Sequence, residues 1–197
     1  KSFQPANSVN RAEFITMVVK TFEQDTSNFL GVDVEFKAKA PPFADVNDPI
    51  SWYYKPVAKA YSAGFISGSI DPKTGQLNFR PGDDITRAEA IAILNKASGA
   101  LSKTDSPRDG CTFSSSFKDV KTDAWYCDEV ENAYMHGITK GKSKGVFDPD
   151  GKLNRAEAAV MIRRTLEKDI EEMASGTESA GELTAPLAAP LGQLFSK

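Results

Sequence analysis

The chain has 197 residues, 40% of them hydrophobic and 26% charged, the balance of a folded globular protein and not of a disordered one. Its 24 Lys and Arg against 27 Asp and Glu leave a net charge of −3, which gives no overall attraction to nucleic acid or to an anionic membrane. Apolar stretches such as Ala90–Leu94 fall far short of the ~20 residues of a membrane span, and Lys1–Ser8 lacks the apolar region of a signal peptide, so any export signal is expected outside this chain.

Residues 1–24 begin with Phe3-Gln4-Pro5, and Arg11 stands eight residues after the Phe. Asn10 and Glu13 have capping spacing: the cap oxygen takes the N–H of the third helical residue, whose carboxylate returns to the cap N–H. Ile15, Met17, Val18 and Phe22 make the helix that follows apolar over most of its circumference, which suits the centre of an assembly. Residues 25–42 read as a linker with some apolar content (Phe29, Leu30, Val32, Phe36) and room for a short strand or an extra turn.

Residues 43–98 form a complete unit. Phe43-Ala44-Asp45-Val46 and Trp52-Tyr53-Tyr54 precede a helix marked by Val57, Ala60 and Tyr61 at i, i+3, i+4 spacing. Pro56 lies near its start, where a missing N–H does no harm. Gly64 is placed for a left-handed C-cap, and Gly68 follows four residues later. Phe79-Arg80-Pro81 leads, again after eight residues, to Arg87 in Thr86-Arg87-Ala88-Glu89, where Thr86 and Glu89 form a capping box. Ile91, Ile93 and Leu94 continue an apolar helix.

Residues 99–116 are rich in Ser, Asp and Gly and read as a surface loop. Residues 117–170 repeat the complete unit, with Phe117-Lys118-Asp119-Val120, Trp125-Tyr126-Cys127, Val130, Ala133, Tyr134, Gly137, Gly141, Phe147-Asp148-Pro149 and Asn154-Arg155-Ala156-Glu157. Glu129 takes the place of Pro56 and favours the positive end of its helix. Val160, Met161, Ile162 and Leu166 line the last helix. Residues 171–197 begin as its continuation and turn into a Ser/Gly/Ala/Pro-rich tail or linker.

Anchors recurring in fixed order make this a repeat protein. The arginines lie 76 and 68 residues apart, too far for ankyrin-type units. The expected fold is all-α: helix–loop–helix motifs around a central three-helix core, with the first motif incomplete.

Cys111 and Cys127 lie 16 positions apart, and His136 is the single histidine, so the ligands for a four-coordinate metal site are missing. The alternatives are a redox pair and a structural disulfide tying a loop to a helix, worth ~3 kcal/mol in an oxidising compartment. His136, before a C-cap glycine, reads as a surface residue and not as a catalyst. No catalytic residue, metal or cofactor is expected: nucleophile-elbow, zinc-protease and phosphate-loop motifs are missing, and prominent acids recur from copy to copy. Asp148-Pro149-Asp150-Gly151 resembles the start of a calcium loop, but Lys152, Leu153 and Ala159 occupy positions that need an acceptor, Gly and Glu.

The ordered set of Phe-x-Asp-Val, Trp-Tyr, Gly-x-x-x-Gly, Phe-x-Pro and Thr/Asn-Arg-Ala-Glu resembles the S-layer homology family of bacterial cell-wall anchoring modules. The resemblance covers Phe43–Ser98 and Phe117–Lys168 as whole motifs and Lys1–Phe22 as a half motif. It implies a pseudo-threefold arrangement and an extracellular, cell-surface setting. It also implies non-covalent binding of a secondary cell-wall polysaccharide or peptidoglycan, often through a pyruvylated amino sugar in grooves between motifs. Two departures bear on that reading. The first motif lacks its Phe-x-Asp-Val and Trp half, and both full motifs carry enlarged loops between Trp and Arg. A role in protein–protein assembly of a surface layer is the alternative.

Arg11, Arg87 and Arg155 fall in the first turns of helices, whose N-termini already carry about +0.5 charge. A cation there is useful if unpaired N–H groups and a guanidinium converge on one carboxylate, as a pyruvate ketal offers. The alternative is pairing with Asp45, Asp119 or a neighbouring Glu. Trp52 and Trp125 either stack on a sugar or wedge between motifs. Asp45 and Asp119 accept sugar hydroxyls or cap a turn. Gly68 and Gly141 allow close ligand approach or form a tight turn. Glu13, Glu89 and Glu157 are read as structural caps, and Tyr61 and Tyr134 as core.

Overall fold

The computed structural model describes residues 4–30, 35, 37–98 and 116–178. Among these, five helices form: α1 (Arg11–Leu30), α2 (Tyr54–Ser62), α3 (Arg87–Ala97), α4 (Cys127–Met135) and α5 (Arg155–Glu178). The fold is mostly helical, and one departure from all-α is a short antiparallel hairpin in the enlarged loop of the first full unit. Its strands are β1 (Ser69–Ile70) and β2 (Leu77–Asn78), paired Ser69 with Asn78 and Ile70 with Leu77. The turn between them is set by Asp71, whose Oδ1 accepts the N–H groups of Lys73 and Thr74 at 2.7 and 3.1 Å.

The long helices begin where their caps place them. Thr86 and Glu89 make the full capping box of α3. Asn10 with Glu13, and Asn154 with Glu157, exchange the same two bonds at 2.8–3.1 Å. Both short helices end in a Schellman motif. Gly64 and Gly137 sit at φ +80° and +72°, and the Phe65 and Ile138 N–H groups reach back to Ala60 and Ala133 at 2.9 Å. α1 runs to Leu30, six residues into the stretch read as a linker. No Gly or Pro interrupts the sequence before Gly31, so the helix has no stop signal at Gln24.

α1, α3 and α5 touch one another, while α2 packs on α1 and α4 packs on α3. Phe14, Phe65, Phe79, Phe147, Ile91 and Leu94 are fully buried between them, each worth about 1.5–3 kcal/mol in removal from water. Below the helix starts, three buried residues close a ring of backbone bonds. The Val9 N–H donates to Leu153, Leu153 to Ile85, and Ile85 to Val9, at 3.0–3.2 Å. The ring fixes the order of the three helix starts and closes it on itself.

Equivalent positions on the inner helices report what covers them. Val19 of α1, the helix on which α2 packs, is buried, and Asn95 of α3 donates to the Glu129 carbonyl of α4 at 3.0 Å. Arg163 of α5 is 78% exposed and pairs with Glu167 along its own helix. Between α1 and α2, the buried ammonium of Lys59 lies 2.9 Å from both Glu23 and Glu35. Burial pulls its pKa down, the two carboxylates outweigh that, and the net direction is upward. This cluster therefore supports the fold at neutral pH: the Lys59 contribution is lost as pH rises through its raised pKa, and that of Glu35, whose pKa Lys59 holds down, is lost as pH falls through it.

Candidate functional site

Each inner helix starts inside a socket made by the Phe-x-Pro turn of another copy. The Arg11 N–H donates to the Asp83 carbonyl at 2.9 Å and the Ala12 N–H to Pro81 at 3.1 Å. Arg87 and Ala88 donate to Gly151 and Pro149 at 2.9 and 3.0 Å, and Arg155 and Ala156 to Asn7 and Pro5 at 2.9 and 3.1 Å. The third helical N–H, on the Glu, goes to the cap. The unpaired N–H groups expected at these helix starts are thus already used by the chain.

The arginines are built into the same sockets. Arg11 Nε donates to the Phe79 carbonyl at 2.8 Å, its Nη1 to Glu89 at 2.8 Å, and its guanidinium lies 5.1 Å from the centre of the Phe79 ring. Arg87 repeats this with the Phe147 carbonyl at 2.7 Å, Glu157 at 3.4 Å and the Phe147 ring at 5.1 Å. Arg155 Nη1 donates to Glu13 at 3.2 Å. Arg11 and Arg87 are buried, whereas the Arg155 side chain keeps 31% of its surface. Burial lowers the pKa of Arg11 and Arg87, and Glu89 and Glu157 oppose that shift. The acids that pair with the arginines are the capping glutamates, so each Glu joins its own helix start to the arginine of another copy.

Glu89 carries the largest share. Its Oε2 accepts from the Thr86 N–H at 3.0 Å, and its Oε1 faces Arg11 at 2.8 Å and Arg80 at 3.6 Å. Glu89→Ala should therefore cost about 2–3 kcal/mol, beyond the ~1 kcal/mol of a lost cap. Urea denaturation measures this; a loss no larger than that of an ordinary cap would show that the Arg11 bond contributes nothing.

The other expected site residues take various places. Asp45 accepts the Phe79 and Arg80 N–H groups at 2.8 and 2.6 Å, and Asp119 accepts those of Phe147 and Asp148 at 2.9 and 2.6 Å. Both oxygens of each carboxylate thus fill a backbone nest. Gly68 and Gly141 have φ +71° and +80° and press against the Phe43 and Phe117 rings, so they serve packing. Trp52 and Trp125 are 59% and 65% exposed, edge-on to Tyr53 and Tyr126, and are not wedges between motifs. Tyr61 packs edge-on to Phe43 as expected of a core ring. Tyr134 makes the same contact with Phe117 but is 39% exposed, a correction to its reading as core. Cys127 is buried and disulfide-bonded, while Cys111 lies outside the described residues. The described residues hold no cluster of three or more His, Cys, Asp or Glu suited to a metal.

At the α1–α3 junction a groove of about 310 Å³ opens, lined by Arg11, Arg80, Asp83, Asp84, Thr86, Glu89 and Lys152. Three cations and three carboxylates share its lining. Arg80 and Lys152 are its exposed cations. Matching residues from copy to copy passes over both, since neither is repeated: Arg80 corresponds to Gln4 and Asp148, and Lys152 to Ser8 and Asp84.

Residues 42–91 and 116–159 match the family model of the S-layer homology domain. The chain is similar to an exoglucanase XynX of Acetivibrio thermocellus, 35% identical over 84% of this chain and 14% of that protein. It is also similar to an S-layer protein of Bacillus thuringiensis subsp. finitimus, 29% identical over 92% of this chain and 20% of that protein. A cellulosome-anchoring protein of Acetivibrio thermocellus is 33% identical over 53% of this chain and 22% of its own length. The chain thus spans less than a quarter of each of these relatives.

Proposed function

The chain carries two S-layer homology domains, and on that premise we propose that it anchors a surface protein non-covalently to the bacterial cell envelope by binding an acidic, pyruvylated secondary cell-wall polysaccharide. The setting is the extracellular cell surface. The observation that carries the reading is the α1–α3 groove, where exposed cations sit beside carboxylates. The cations suit a sugar acid, and the carboxylates suit sugar hydroxyls. In this reading Arg80 and Lys152 face the acid, Arg11 beneath them is held in the frame by Glu89 and the Phe79 carbonyl, and the exposed Trp52 and Trp125 supply stacking surfaces. Arg87, Arg155, Asp45, Asp119, Gly68 and Gly141 act by holding the frame. The ring of bonds through Val9, Ile85 and Leu153 supports a pseudo-threefold arrangement of the motifs.

The domain is a binding and anchoring module. The exoglucanase matches over 14% of its length, a share that leaves room for a separate catalytic domain. A second reading, assembly of the surface layer through protein contacts, draws on Ile50 and Met135, which are 92% and 70% exposed.

Sedimentation with purified wall sacculi separates these readings. The chain should co-sediment with intact sacculi and remain in solution once acid has extracted the secondary polymer. Retention on extracted sacculi would instead indicate peptidoglycan, and no retention on either would favour protein assembly.

A further inference from the structure

Resting on that reading of the groove, we infer that the residue between Phe and Pro in each copy decides which junction takes an acidic saccharide, and that Arg80 reserves this role for the α1–α3 junction. Gln4, Arg80 and Asp148 share one backbone conformation, with φ +49°, +59° and +61°. In each case the proline that follows disfavours the right-handed helical region. At Arg80 and Asp148 the carboxylate of Asp45 or Asp119 also holds the residue's N–H. The side chains therefore leave equivalent turns from equivalent backbones, and only their chemistry differs.

At the α1–α3 junction that chemistry is a guanidinium, 47% exposed, whose nearest acid oxygens stand at 3.6 Å on Glu89 and 3.8 Å on Asp83. Both contacts are longer than a charge-assisted hydrogen bond, so a ligand carboxylate can take the Arg80 fork in their place. Lys152, exposed and 3.5 Å from the Asp84 carbonyl, adds a second cation to the same groove. At the α3–α5 junction the side chain is the carboxylate of Asp148, closed by Lys142 at 2.6 Å. That turn position offers an arriving acid no guanidinium, only a carboxylate already tied to its own lysine. At the α5–α1 junction it is the amide of Gln4, which accepts from Asn7 at 2.9 Å. One repeated position thus carries plus, minus and zero.

Calorimetric titration with an amino-sugar glycoside bearing a pyruvate ketal, paired with sedimentation on intact sacculi, tests this in the wild type and in Arg80→Gln, Arg80→Lys and Asp148→Arg. The wild type should bind one equivalent. Arg80→Gln, which installs the residue of the α5–α1 junction, should weaken binding at least about tenfold at unchanged melting temperature. Arg80→Lys should recover part of the loss, and Asp148→Arg should add a second equivalent. If Arg80→Gln binds like the wild type, or Asp148→Arg stays at one equivalent, the inference is overturned while anchoring stands. It is overturned in the same way if the wild type sediments with sacculi but ignores the glycoside. If the wild type neither binds the glycoside nor sediments, the anchoring reading fails and takes the inference with it.

Discussion

Arg87→Ala is expected to destabilise the chain by about 3–5 kcal/mol, the cost of removing one member of a buried charged pair. Its guanidinium is buried, bonded to the Phe147 carbonyl and Glu157, and packed over the Phe147 ring. Truncation leaves a carbonyl without its donor, a carboxylate without its cation and a void beside an aromatic ring. Any loss of wall binding in this variant then follows from loss of the fold. Arg155→Ala is the internal control. With its side chain 31% exposed, that variant should lose about 1–2 kcal/mol. Denaturation curves for the two variants check the ranking. If Arg87→Ala melted like the wild type and lost only wall retention, Arg87 would belong to the ligand site instead.

Gly68→Ala should cost about 2–4 kcal/mol, from a strained backbone and an overpacked neighbour together. The position has φ +71°, and an added Cβ would stand 2.6 Å from the Phe43 ring and 2.9 Å from the Asn78 carbonyl oxygen. Phe43 is itself buried against Phe79 and Tyr61, so the ring has little room to retreat. Gly64→Ala separates the two contributions. Its φ is +80°, but nothing lies within 4 Å of the added methyl, so only the left-handed backbone cost of about 1 kcal/mol remains. Equal losses at the two sites, measured by urea denaturation, would mean that the Phe43 contact does not matter.

What could be read from the sequence was mostly local. The caps at Asn10, Thr86 and Asn154 depend on residues three apart, and the C-caps at Gly64 and Gly137 need one residue able to take positive φ. Both signals sit within a single helical turn. The apolar helices were also legible, because a helix greasy on most sides has nowhere to go but inward. The Arg–Glu pairing was not, because its partners lie 78, 70 and 142 residues apart. Spacing showed that arginines and glutamates recur together, but not that each Glu serves the arginine of another copy. The same distance hid the role of Asp45, whose carboxylate is used 34 and 35 residues later. Matching one copy to another finds what builds the frame, since the frame is what the copies share. It passes over Arg80 and Lys152, where the copies differ and where the groove acquires its charge.

Recognition of a sugar acid is tested most directly by calorimetric titration of the wild-type chain with a pyruvylated wall saccharide and with the same saccharide after removal of the pyruvate. The acid form should bind about 10–100-fold more tightly, the worth of a charge-assisted contact of about 1.5–3 kcal/mol. Equal affinity for the two forms, or preference for the neutral one, would contradict a groove built to receive a carboxylate.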